Sequence, residues 1–93
     1  MEKKYILKFH PAFFEDLKSL EKNDQNAVSK QIGKIEADPT RFKHLHGRGN
    51  CYSIRTGNLR IVYTLKRELV ILLTVDNRDR VYNIYPKRLF DLD

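Results

Sequence analysis

The sequence predicts an α+β fold: an antiparallel sheet with an N-terminal helical hairpin packed on one face and a short C-terminal helix, in the order βααβββ. Two observations predict it. Apart from one strand-like segment near the start, apolar residues recur at helical spacing before residue 40 and at strand spacing after residue 50. Each helical segment has only one apolar stripe, so the helices must pack against the sheet. We expect residues 1–93 to form a single domain.

The first forty residues predict one strand and two helices. Residues 5–9 alternate as a strand does, and Pro11 then suits the first turn of a helix. Asp24 is the expected N-cap of the second helix, which Asp38-Pro39 should end. The apolar stripes are Phe13, Leu17 and Leu20 in the first helix and Val28, Ile32 and Ile35 in the second.

The strongest local signal is a β-hairpin around Gly57-Asn58. A two-residue turn there would pair Arg55 with Arg60 and Ser53 with Val62. A slip of one residue would bury the arginines, so this register is favoured. The residues then expected in the core beneath the helices are Tyr52, Ile54, Ile61 and Tyr63.

The remaining segments predict a buried strand and a terminal helix. Residues 69–75 form a nearly continuous apolar run, which is typical of a central strand covered on both faces. A charged stretch follows, and residues 86–92 indicate a short helix that begins at Pro86 and contains Leu89 and Phe90.

The positive charge is confined to the second half of the chain. All eight arginines follow residue 40, and residues 41–93 have eleven Lys and Arg against five Asp and Glu, a net charge of +6. Arginine presents a planar fork of donors that fits phosphate oxygens, so this half is either a solvated basic surface or an anion-binding site. Arg55 opposite Arg60 would destabilise the hairpin by about 0.2 to 1 kcal/mol unless an anion compensates.

Several classes of site are disfavoured. The single cysteine, Cys51, excludes an internal disulfide and a multi-cysteine zinc site, and its spacing to His44 and His46 matches no catalytic mechanism. No phosphate-binding loop or spaced carboxylates are present, so we expect no metal and no cofactor. The longest apolar run is too short to span a bilayer, so we expect no membrane partner and a cytoplasmic location.

A cluster of arginines allows two functions. It could bind a nucleic-acid backbone, or it could help to cleave RNA, which supplies its own nucleophile in the 2′-hydroxyl group. Cleavage without a metal needs a proton acceptor, a proton donor and cations. Tyr82 and an arginine could be that acceptor and donor only if their pKa values were strongly perturbed.

Three motifs resemble those of the RelE/ParE toxin superfamily. They are Leu45 to Arg55, then Leu-Arg-Ile-Val-Tyr at residues 59–63, and Asn-Arg-Asp-Arg-Val-Tyr at residues 77–82. With the order of elements, the resemblance spans almost the whole chain and is closest to the RelE branch. It implies a type II toxin, a ribosome-dependent endoribonuclease that cleaves mRNA in the A site by 2′-hydroxyl attack without a metal.

The resemblance also implies roles for individual residues. Arg55 matches a basic residue that contacts RNA phosphates, and Arg60 matches an arginine that stabilises the scissile phosphate. Arg78 matches a general acid or transition-state stabiliser. Tyr82 matches the tyrosine that activates the 2′-hydroxyl group and stacks on a base, with Tyr85 as a second candidate.

One residue departs from the family pattern. Ser53 is counted among the RNA-binding residues, but it lies where RelE toxins often have lysine, so a positive charge is missing there. The other arginines are expected to supply the surrounding field, with Arg48 and Arg80 also binding RNA; they are Arg41, Arg48, Arg67, Arg80 and Arg88.

The resemblance implies three partners: a RelB-like antitoxin that wraps and inhibits the toxin in a hetero-oligomer, the ribosome, and mRNA. We expect the antitoxin segment to be largely helical, with acidic residues that meet the arginines. Two other functions stay open. One is a ParE-like DNA gyrase poison, and the other is a non-catalytic RNA- or ribosome-binding module, which Ser53 favours.

Overall fold

The computed structural model describes residues 4–47, 49–77 and 79–92 as an α+β fold, which confirms the predicted fold class. The order of elements is β1 (Ile6–Phe9), α1 (Phe13–Lys18), α2 (Lys22–Ala37), β2 (Lys43–His44), β3 (Cys51–Thr56), β4 (Leu59–Lys66), β5 (Leu69–Asn77) and α3 (Val81–Asp91). The strands form one sheet in the order β1-β5-β4-β3-β2.

The β3–β4 hairpin has the predicted register, with Arg55 opposite Arg60 and Ser53 opposite Val62. Gly57 is the first of the two loop residues and has a φ of +60°. A two-residue hairpin turn needs a positive φ at this position, which glycine adopts without steric cost. The turn therefore determines the register and decides which side chains share a face.

Two strands differ from the predicted sheet: one pairs in parallel, and one is additional. β1 pairs with β5 in parallel, because α1, α2 and three strands separate them and bring the chain back in the same direction. β2 is an additional strand of two residues, antiparallel to β3. It was not predicted, because two residues contain no detectable period.

The helix ends also differ from the predicted ones. α2 begins at Lys22, so Asp24 lies in its first turn rather than at the N-cap, which is Glu21. α3 begins at Val81 and includes Pro86 instead of beginning there. The side chain of Asn77 accepts a hydrogen bond from the Arg80 backbone N–H at 3.1 Å and so supplies an acceptor before the helix starts.

Apolar side chains cover both faces of the sheet. We call the side under α1 and α2 the hairpin face and the side under α3 the α3 face. Of the four hairpin residues predicted for the core, three are buried on the hairpin face and Tyr52 is partly buried. The buried residues of this face are Phe13, Val28, Ile35, Ile54, Ile61, Tyr63, Leu65, Val70, Leu72 and Val75. On the α3 face the buried residues are Leu45, Cys51, Val62, Leu73 and Val81. β5 contributes to both clusters, as the prediction of a doubly covered strand required.

A largely buried ion pair joins α1, β5 and α3. Arg88 donates from both terminal nitrogens to the Asp16 carboxylate, one of them at 3.0 Å, and also to the Leu73 carbonyl at 2.8 Å. The same carboxylate accepts from the Thr74 hydroxyl at 2.8 Å and the Val75 backbone N–H at 3.3 Å. The pairing of β5 with β1 ends at Leu72. Beyond that point, these contacts satisfy the Leu73 carbonyl and the Val75 N–H of β5. The prediction that Arg88 belongs to the surrounding positive field is therefore wrong, since its charge is neutralised.

Replacing Asp16 by Ala should destabilise the fold strongly. The Arg88 side chain is only 15 % exposed and would keep its charge without a carboxylate, which typically costs about 3 to 5 kcal/mol. The free energy of unfolding, measured with urea, should fall by that amount.

The neighbouring Glu15, which is exposed, provides the control, and Glu15→Ala should change stability by less than about 0.5 kcal/mol. The double variant Asp16→Ala/Arg88→Met should be more stable than Asp16→Ala alone, because no unpaired charge remains. Equal losses in Asp16→Ala and Glu15→Ala would contradict this role of the ion pair.

Candidate nucleic-acid interface

Two arginines face each other at the turn end of the β3–β4 hairpin. Arg55 lies directly opposite Arg60, and Asp76 of β5 lies opposite Arg60 on its other side. Directly opposite residues share a face of the sheet, so this row points to the α3 side, as Ser53 and Val62 do. Arg55 is exposed and Arg60 is partly buried.

Neutral oxygen atoms hold both guanidinium groups. Arg55 donates from Nε to the Gly57 carbonyl at 3.2 Å, and Arg60 donates from a terminal nitrogen to the Ser53 hydroxyl at 3.2 Å. Neither arginine has an ion-pair partner within residues 4–47, 49–77 and 79–92. The two positive charges are therefore positioned without being neutralised, as an anion-binding site requires.

Arg60 has an unsatisfied donor. Its Nε atom is buried and has no hydrogen-bond partner in the described part of the chain. A buried donor without a partner costs about 1 to 3 kcal/mol, and the cost is larger for a charged group. A phosphate oxygen would satisfy it. Arg60 is accordingly the residue whose environment points most directly to an anionic ligand.

Ser53 lies beneath this arginine rather than at the surface. The residue is 2 % exposed, and its hydroxyl accepts the hydrogen bond from Arg60. In this arrangement Ser53 orients the guanidinium group. The geometry offers it no direct contact with RNA, in contrast to the predicted RNA-binding role.

Helix α3 begins at the same end of the sheet and carries two tyrosines, Tyr82 and Tyr85. β5 ends at Asn77, opposite Leu59 and therefore next to Arg60, and α3 begins four residues later. Tyr82 is 41 % exposed and its ring meets that of Tyr85 at 6.5 Å in a T-shaped contact. An exposed aromatic ring early in this helix can stack on a base.

Tyr85 is the more enclosed of the two tyrosines and packs against the apolar cluster of the α3 face. Burial raises the pKa of its hydroxyl, and Cys51 and Tyr82 raise it further. A raised pKa makes this phenol a poorer proton acceptor near neutral pH. Tyr82 thus remains the better candidate for contact with a substrate.

The other arginines singled out in the sequence lie in different surroundings. Arg80 is exposed and directly precedes α3, near Tyr82. Arg48 and Arg78 lie outside the described residues, so their predicted roles stay predictions. Arg41 lies over the Phe42 ring at 5.3 Å.

Cys51 and His10 make contacts that support the fold. Cys51 is buried, and burial raises the pKa of its thiol, with a smaller opposing effect from a hydrogen bond with Thr64. His10 accepts from the Ala12 N–H at Nδ1 and lies 3.3 Å from Asp91 at Nε2, so it connects the end of β1 to α3. No cluster of three metal-binding side chains occurs among the described residues.

Comparison with known proteins defines the family. A model of the ParE toxin of type II toxin–antitoxin systems (parDE) matches residues 7–82. The chain therefore belongs to the ParE toxin family within the RelE/ParE superfamily, and it is a type II toxin with a RelE-like fold. No curated protein sequence matches it significantly.

Solved structures share the fold. An E. coli RelE toxin with two arginine-to-alanine changes, in the free state, has a TM-score of 0.79 at 22% identity, covering 92% of this chain and 98% of that one. The Mycobacterium tuberculosis RelBE2 toxin–antitoxin complex has a TM-score of 0.71 at 27% identity, covering 82% and 100%. The archaeal RelE–RelB complex from Pyrococcus horikoshii has a TM-score of 0.70 at 24% identity, covering 84% and 99%.

Within the described residues, no helix is both long and apolar enough to span a membrane.

Stability should fall at alkaline pH. Burial raises the pKa values of Cys51, Tyr63 and Tyr85 in the folded chain. The unfolded chain then loses these protons at a lower pH than the folded chain, so their contribution is fully present below the ordinary thiol pKa of 9.0 and is lost as pH rises above it.

Urea unfolding at a series of pH values tests this. The free energy of unfolding should decline from about pH 9 upward, and Cys51→Ala should delay the start of the decline toward the ordinary tyrosine pKa of 10.0. Constant stability up to about pH 10.5 would contradict these shifts.

Proposed function

We propose that this toxin is an endoribonuclease that cleaves mRNA in the A site of the ribosome and thereby inhibits translation in the cytoplasm. The observation that supports it most is the arginine row. Within the described residues, Arg60 has a buried donor without a partner, and neither Arg55 nor Arg60 has a carboxylate partner. Such cations stabilise the negative charge that develops on a phosphate during cleavage.

The proposed reaction uses the nucleophile of the RNA itself. The 2′-oxygen attacks the adjacent phosphorus, a bond forms between them, and the bond from phosphorus to the 5′-oxygen breaks. The products are a 2′,3′-cyclic phosphate and a 5′-hydroxyl group. A base removes the 2′-hydroxyl proton, and an acid gives a proton to the leaving 5′-oxygen.

Roles in this scheme follow from position and from the family motifs. Arg60 would contact the scissile phosphate and Arg55 a phosphate beside it. Tyr82 would stack on a base and accept the 2′-hydroxyl proton. Arg78, placed by its motif alone, would stabilise or protonate the leaving group.

The fixed position of α3 supports this role for Tyr82. The Arg88–Asp16 ion pair and the His10–Asp91 contact attach the second half of the helix to α1 and to the end of β1. The exposed tyrosine is thus presented from a rigid element, which favours accurate positioning of a substrate.

The proposed protein partner is a RelB-like antitoxin in a toxin–antitoxin hetero-oligomer. Several solved structures with this fold are RelB–RelE complexes, including those from M. tuberculosis and P. horikoshii. Acidic residues of the antitoxin would meet Arg55 and Arg60, which form no ion pair with the part of the chain that the structure describes.

A second candidate is a poison of DNA gyrase, because the matching family model is named for ParE. A toxin that acts by protein contact has no need of a buried Arg60 donor kept for an anion. The Nε atom of Arg60, which has no hydrogen-bond partner in the described segments, therefore favours the ribonuclease.

Inducing the chain in cells and mapping mRNA ends by primer extension tests the proposal. The wild-type chain should cut within translated codons. Arg60→Ala and Tyr82→Phe should each reduce cutting by about 100-fold or more, since each removes a group that acts in the transition state.

Arg67→Gly is the matched control. Arg67 lies in the β4–β5 turn at the opposite end of the sheet from Arg60, and its φ of +58° suits glycine. Its removal costs one positive charge and should leave cutting within about threefold of wild type. Intact mRNA with broken DNA would support the gyrase poison, and growth arrest with both intact would support a non-catalytic ribosome-binding module.

A further inference from the structure

We propose that Lys43, on the edge strand β2, is a further RNA-contacting residue that binds the phosphate next to the one held by Arg60. This inference rests on the proposed function. It starts from the strand that the sequence did not predict, because β2 extends the α3 face of the sheet beyond β3.

The direction of the Lys43 side chain follows from its neighbour. His44 pairs with Tyr52, and their rings lie 4.9 Å apart. Tyr52 stacks on Tyr63, whose ring is in the hairpin-face core, so His44 points to the hairpin face. Successive residues of a strand point to opposite faces, which places Lys43 on the α3 face beside its partner Ser53.

Lys43 continues the line of unpaired positive charge. It is exposed and has no ion-pair partner in the described portions of the chain. The α3 face therefore presents one cation from each of three neighbouring strands, namely Lys43, Arg55 and Arg60. The acidic Asp76 lies on the far side of Arg60, in β5. An anionic strand would follow the cations toward β2.

Spacing decides which phosphate Lys43 can reach. β2 and β4 are two strand spacings apart, and the rows of Lys43 and Arg60 differ by two residues along the strand. The two Cα atoms are therefore on the order of 12 Å apart. A lysine is a flexible point charge that suits a backbone phosphate, and at this distance we assign it a neighbouring phosphate. It should contribute to affinity and not to the chemical step.

The test measures binding and cleavage separately. Binding of a short single-stranded 2′-O-methyl RNA, which lacks the nucleophilic hydroxyl group, is followed by fluorescence anisotropy at several salt concentrations. Lys43→Gln should weaken binding about fivefold at 0.1 M salt and lower the slope of log affinity against log salt by about 0.7, the value for one lost phosphate contact. Lys43→Arg should restore both.

Lys30→Gln is the matched control. Lys30 is an exposed lysine on α2, which covers the opposite face of the sheet, so its removal should leave the salt slope unchanged. Thermal melting of both variants checks that folding is preserved. On programmed ribosomes, the cleavage rate of Lys43→Gln at saturating toxin should equal that of wild type.

The possible results are distinct. Equal affinity and salt slope in Lys43→Gln and Lys30→Gln would overturn the inference even if the wild-type chain cuts mRNA. A reduced cleavage rate at saturation with unchanged RNA affinity would also overturn it. A wild-type chain that binds RNA and cuts none would refute the proposed function, while the slope would still report whether Lys43 contacts a phosphate.

Discussion

The contact between Arg88 and Asp16 is the constraint on which the rest of this structure depends. β5 extends beyond the end of β1, and this ion pair satisfies the polar groups left at that edge while joining α1 to α3. Without it, the helix that covers the second face of the sheet would lose its hydrogen bonds to α1 and β5. A buried pair of this kind adds little net stability over an apolar pair, but it fixes one arrangement because each charge requires its partner.

The row formed by Arg55 and Arg60 differs from the Arg88–Asp16 pair, because here two like charges lie opposite each other. Among the described residues, Arg55 and Arg60 lie side by side without a carboxylate partner, and Arg60 keeps a buried donor unsatisfied. Both features cost stability in the free toxin. A phosphate that binds there would relieve both costs, so part of the binding energy for an anion is already built into the fold. Ser53, which holds Arg60 from below, contributes to that arrangement.

The parts of the fold that follow from local patterns were predictable from the sequence. The register of the β3–β4 hairpin follows from alternation and from Gly57, and the face of Arg55 and Arg60 follows from the register. The parallel pairing of β1, the short strand β2 and the role of Arg88 depend on contacts between distant segments, which no local period reveals. Pro86 was misleading, because a residue that commonly opens helices lies inside this one.

The central claim is that Arg60 holds an RNA phosphate through its unsatisfied Nε–H group, and NMR of the arginine Nε–H signals tests it most directly. We expect the Arg60 signal to shift downfield and its hydrogen exchange to slow when 2′-O-methyl RNA is added, because the donor gains a charged acceptor. The signal of Arg88, already held in its ion pair, should stay unchanged. An Arg60 signal that does not move while the RNA binds would contradict the account.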